Sequence, residues 1–127
     1  MKRLKIFFLA TDLGFLIYWL ITLLHIIPRE LAFKNYSNPI ISSWNWSFFP
    51  PDMCVSFTGI TAIILFSREK SLWQKFALLS LTLTFCSGLQ AISFWFLRND
   101  FDLMWWTFNL YLMIYPLFFV RGLVVQE

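Results

Sequence analysis

Charge is scarce in this chain of 127 residues. Only 13% of its side chains are Asp, Glu, Lys or Arg, against about 25% in an ordinary globular protein. The net charge of +3 is small and dispersed, and no basic run is interleaved with stacking aromatics, so a nucleic-acid partner is not expected. There is one histidine and there are two cysteines, with no CxxC and no HExxH, which argues against a metal site. No GxSxG and no phosphate-cradling glycine loop occurs, so no catalytic residues and no cofactor are assigned. Cys54 and Cys86 fall at different depths of predicted helices, too far apart for a disulfide, and read as two inert buried thiols.

What replaces charge is apolar surface. Hydrophobic residues make up 59% of the chain, with 16 Phe and seven Trp. A water-soluble fold of this length leaves too much of its surface exposed to hide so many. The expected fold class is therefore all-α, an integral membrane four-helix bundle solvated by lipid, in one domain covering 1–127. Four apolar runs place the spans at about 6–27, 50–66, 76–97 and 103–120, each near the length needed to cross a hydrocarbon core. The first resembles a signal peptide in its basic start but is too long and lacks a cleavage site. Pro50, Pro51 and Asp52 open the second span as helix-starting residues do.

The N-terminus, the second loop and the C-terminus together hold seven Lys and Arg, and the first and third loops hold three. That asymmetry predicts both termini in the cytoplasm, N-in and C-in, and a multi-pass cell-membrane location. The first loop is rich in rings over residues 44–49 and should lie along the outer surface or dip into it.

Polar groups inside a membrane are costly, about 2.5–3.5 kcal/mol for an Asp at a helix centre, so each asks for a reason. By depth, His25, Asp52, Gln90 and Asn109 all fall in the outer half, one from each helix, and could line one cavity roofed by the loop carrying Trp44 and Trp46. The alternative is that they are interhelical hydrogen-bonding groups. Asp12 is placed in the cytoplasmic half, where a hydroxyl such as Thr82 or Thr84 is a possible partner and a ligand or proton role is the other reading. Spacings of three and four put Thr11, Phe15, Tyr18, Thr22 and His25 on one face. They also put Asp52, Ser56 and Gly59 on another, and Ser80, Thr84, Ser87, Gly88 and Ala91 on a third, all turned to the bundle interior.

Two segments carry a family likeness. Thr11-Asp12-Leu13-Gly14-Phe15 through Tyr18-Trp19 is one. Ser37-Asn38-Pro39 through Trp44-Asn45-Trp46-Ser47-Phe48, with Pro50 and Asp52, is the other. Both resemble the YvaD-like family, small four-span membrane proteins of Gram-positive bacteria without an assigned function. The resemblance implies a bacterial cell-membrane location and no activity.

Three functions follow in order. The first is a non-enzymatic membrane protein binding a lipophilic or small amphiphilic molecule in an outer-half polar cavity, at His25, Asp52, Gln90, Asn109 and Trp46, with Asp12 as a further candidate. The second is an accessory or immunity-type subunit that packs against a membrane-protein partner or forms a homo-oligomer. The third is an enzyme acting on lipid or isoprenoid substrates through a His25–Asp52 pair.

Overall fold

A computed structural model describes residues 2–24 and 38–125. Among these every regular element is a helix: α1 (Lys2–Leu23), α2 (Pro39–Trp46), α3 (Phe49–Ser67), α4 (Trp73–Leu97) and α5 (Leu103–Val125). Four segments are long and apolar enough to cross a membrane, α2 and α3 together forming one of them. The first helix begins at Lys2, earlier than the apolar run itself, so Asp12 stands midway along α1 rather than in its first third.

Two features set the chain reversals. At the end of α3, Glu69 takes a left-handed φ of 57°, and the amides of Glu69 and Lys70 return to the carbonyls of Phe66 and Leu65. The end of α4 repeats the pattern, with Asn99 at φ 54° and Asn99 and Asp100 bonded back to Phe96 and Trp95. This arrangement satisfies the last carbonyls of a helix and turns the chain sharply. The next helices then start on side-chain or proline signals. Asn38 caps α2 by accepting from the amides of Ile40 and Ile41, prolines occupy the first turn of α3, and the Asp102 carboxyl accepts from the Trp105 amide at the start of α5.

Helix α4 packs against both α3 and α5, and α1 packs against α3. The interior is built in three layers. At one end Leu4, Phe8, Ala62, Ala77, Leu81 and Leu123 form an apolar cluster reaching Tyr115. At the other, Phe15, Trp19, Val55 and Leu112 form a second cluster. Between them lies a band of hydroxyls. Ser56 donates to the Asp12 carbonyl across α1 and α3, Ser80 donates to the Val55 carbonyl across α3 and α4, and Thr11 pairs with Tyr111 at 3.0 Å. Cross-helix contacts of this kind tie α1 to α3 and α5, and α3 to α4. The stripes read from the sequence do face inward: Asp52, Ser56 and Gly59 are buried, as are Ser80, Thr84, Ser87, Gly88 and Ala91.

The outside of the bundle carries large apolar side chains on every helix, among them Ile17, Phe57, Phe96 and Phe118. Cys54 and Cys86 are free, and both sit on this outer surface rather than inside the bundle. The buried placement expected of them is corrected: depth within an apolar run does not fix which way a side chain points.

Candidate functional site

At the end of the bundle that carries α2, the helices diverge around a cavity of about 340 Å³, a volume at the lower end of the range for small-molecule sites. Helix α1 gives it Phe15, Tyr18 and Trp19, and α2 gives Ile41, Trp44 and Asn45. The far wall comes from α4, through Ser87, Ala91 and Trp95, and from α5, through Trp105, Phe108, Asn109 and Leu112. Asp52, in the first turn of α3, is the one carboxyl among the lining residues.

Local sequence explains why these side chains meet. Trp44 stacks on Phe94 with ring centroids 3.9 Å apart and meets Trp95 edge-on at 5.5 Å, which ties α2 to α4. The prolines after α2 start α3 so early that Asp52 faces Trp19 and Ser87. The Trp19 indole N–H donates to Asp52 Oδ2 at 2.9 Å, and the Ser87 hydroxyl donates to Oδ1 at 3.3 Å. Asp52 is 5% exposed, and its carboxyl is held by two neutral donors. Buried polar atoms need such partners, because an unmet one costs about 1–3 kcal/mol. Trp19 is in turn fixed by its neighbours, with Trp46 5.2 Å and Phe49 5.4 Å away between ring centroids.

Of the residues picked out by depth, two line the cavity: Asp52 and Asn109. The Asn109 amide nitrogen donates to the Trp105 carbonyl at 2.8 Å, leaving its carbonyl oxygen and its second N–H as what it can offer to an occupant. Gln90 is at the right level but is exposed on the outer side of α4, while its neighbour Ala91 turns inward. Trp46 packs against Trp19 and Phe49 instead of lining the space, and Trp44 and Asn45 take the roofing position. His25 lies outside the described residues.

Asp12 stands apart from the cavity, but nearer to it than depth counting suggested. Going from Phe15, Ser87 and Leu112 toward the middle of the bundle, Asp12, Thr84 and Tyr115 lie three residues further along their helices, and all three are buried. Trp19 faces Asp52 and the Asp12 carbonyl faces Ser56, so the two carboxyls are offset by about two helical turns, or ~10 Å. Neither oxygen of the Asp12 carboxyl has a hydrogen-bond partner among the described residues, and the Tyr115 hydroxyl has none either. The suggested partners are engaged elsewhere, Thr82 with the Leu78 carbonyl and Thr84 with the Ser80 carbonyl.

The aromatic residues that shape the cavity on the α4–α5 side, Trp95, Trp105 and Phe108, were not singled out from the sequence. With 21% of the chain aromatic, a ring at any one position carries little signal. The usable signal was periodic, since Trp95 continues at the same helical spacing the inward stripe of α4 that runs through Thr84, Ser87 and Ala91.

Comparison with known proteins gives a consistent result. A family of unknown function (DUF5360) matches residues 4–127. The chain is 51% identical over 126 residues to the protein named "Uncharacterized protein YvaD" of Bacillus subtilis (strain 168), covering 99% of this chain and 95% of that one. No solved structure matches.

Proposed function

The chain belongs to the DUF5360 family, and for this member we propose a multi-pass protein of the bacterial cell membrane that takes a lipophilic or small amphiphilic molecule into the cavity beneath α2. The observation that carries this reading is the cavity itself. It is apolar and ring-lined, with a few polar groups fixed in place, which is the usual make-up of a small-molecule site. Its position favours hydrophobic occupants, since they partition to the bilayer that surrounds the helices.

In this reading both termini and the α3–α4 connection lie in the cytoplasm, because the basic residues concentrate there. Single cysteines in a background with Cys54 and Cys86 replaced by Ser test it. Ser71→Cys should react with a membrane-impermeant maleimide only after the cells are opened, and Phe101→Cys should react in intact cells. The reverse pattern would invert the orientation.

Occupancy is tested through the tryptophans of the wall. Purified protein in lipid nanodiscs, titrated with a brominated medium-chain alcohol, should show saturable quenching of its intrinsic fluorescence. Ala91→Phe, which fills the space from α4, should weaken the saturable component by about ten-fold, a change of ~1.4 kcal/mol, while leaving the helix content measured by circular dichroism intact. Quenching that rises only linearly with probe, the same in wild type and Ala91→Phe, would show partition into lipid and no site.

A further inference from the structure

The cavity wall is apolar apart from Asn109 and one corner, and the polar groups gathered at that corner are complementary to a particular head group. Asp52 presents a carboxyl whose two oxygens each receive one neutral donor, from Trp19 and Ser87. A carboxylate oxygen accepts about two hydrogen bonds, so each retains capacity. The side-chain nitrogen of Asn45, in α2, is buried, and the Tyr18 hydroxyl beside it answers at most one of its two N–H groups. Tyr18 joins the two groups into one corner, since its hydroxyl lies beside the Asn45 side chain and within electrostatic reach of Asp52. Trp44, Trp95 and Trp105 line the same cavity.

An acceptor carboxyl, an amide with a spare donor and a wall of indoles ask for different things from one occupant. The carboxyl takes N–H donors and gains most from a positive charge, because charge-assisted hydrogen bonds are about twice as strong as neutral ones. Indole faces attract a cation by a further 0.5–2 kcal/mol or so, more when water is excluded. The Asn45 amide takes an oxygen acceptor. We infer that the occupant is an amphiphile whose head is a protonated amine with a hydroxyl or carbonyl oxygen one or two carbons away. The amine sits against Asp52, the oxygen against Asn45, and the alkyl portion among the rings. This inference rests on the reading of the cavity as a ligand site and deepens it. A fatty acid is the wrong charge for Asp52. A simple alcohol serves only one of the two groups. A quaternary ammonium brings charge but no N–H for the carboxyl.

The test is a competition series on the full-length protein in nanodiscs of neutral lipid, displacing the brominated alcohol. The probes share one chain length: 2-aminodecan-1-ol, decylamine, decyltrimethylammonium, decan-1-ol and decanoate. The expected order is aminodecanol first, then decylamine a few-fold weaker, with decanol and decanoate about ten-fold or more below the amine, as loss of one charge-assisted contact predicts. Asp52→Asn should remove the advantage of the amines over decanol. Asn45→Ala should remove only the advantage of aminodecanol over decylamine. If Asp52→Asn does not yield folded protein, the wild-type series decides by itself. An amine that competes no better than decanol, or decanoate competing as well as the amine, overturns the inference. Saturable decanol binding that Ala91→Phe abolishes, without amine preference, would sink the inference and leave the cavity reading standing. If no probe saturates, both fall.

Discussion

Replacing Gly88 by alanine will lower the thermal stability of the bundle, although alanine is the better helix former by about 1 kcal/mol. The reason is the approach of α4 to α5 at this point. A Cβ built on Gly88 would stand 2.6 Å from the Asn109 carbonyl oxygen, 2.9 Å from the Met113 nitrogen and 3.2 Å from the Leu112 carbonyl carbon. These are backbone atoms in the middle of a helix, and none can rotate aside as the end of a side chain can. Helix α5 must move bodily, with the loss of packing that overfilling a core brings, about 1–3 kcal/mol or more. Asn109 and Leu112 also form part of the cavity wall, so the same displacement should weaken binding of the brominated alcohol. Gly14→Ala and Gly122→Ala are the matched controls, since an added Cβ meets nothing within 4 Å at either position. They should be neutral or mildly stabilising. Thermal melts of the four proteins in one detergent decide the matter, and a Gly88→Ala midpoint equal to that of Gly14→Ala would refute the close approach.

How much of this was legible in the sequence differs between depth and direction. Four long helices could be read because each is apolar on nearly all sides, and a long apolar run is hard to mistake. That same uniformity removes the amphipathic signal that tells which face is inside. Direction therefore had to come from small and hydroxylated residues, and where they formed a series it was read correctly, as with Ser80, Thr84, Ser87 and Ala91. Gln90 was placed by depth alone. It lies one residue, and so about 100°, from the inward-facing Ala91, and the stripe itself was enough to exclude it. The cysteines were misplaced for the same reason. The roof was foreseen as a ring-rich segment, but not that Asn38 would cap a short helix there. That helix is what turns Trp44 and Asn45 toward the cavity and Trp46 toward Trp19. Asp12 stands midway along its helix because α1 begins within the basic residues at Lys2, where hydropathy gives no hint of helix.

Gly59→Ala should be severely destabilising in the wild-type chain and well tolerated once Asp12 is alanine. A Cβ on Gly59 would overlap the Asp12 carboxyl, falling 2.8 Å from its Cγ and 3.0 Å from Oδ1 and closer still to Oδ2. The whole carboxyl group, not one atom of it, would have to leave. Its surroundings give it little freedom to do so. Asp12 is fully buried, and the Ser56 hydroxyl bonded to its carbonyl at 2.9 Å pins α1 to α3 at this level. The single change Asp12→Ala removes a buried carboxyl that no donor among the described residues serves, a gain of roughly 1–3 kcal/mol. It also leaves a void, and the two effects should largely offset each other. The double variant fills part of that void with the new methyl at position 59. Its stability should therefore exceed the sum of the two single effects, with a coupling of about 1–3 kcal/mol, as expected for residues in direct contact. Melts of the wild type, both single variants and the double variant measure this directly. Additive effects would mean that the carboxyl has another place to go. Because Asp12 does not line the cavity, Asp12→Ala should also keep the preference for amines that Asp52→Asn abolishes. That contrast would separate the carboxyl that packs two helices together from the one that meets the occupant.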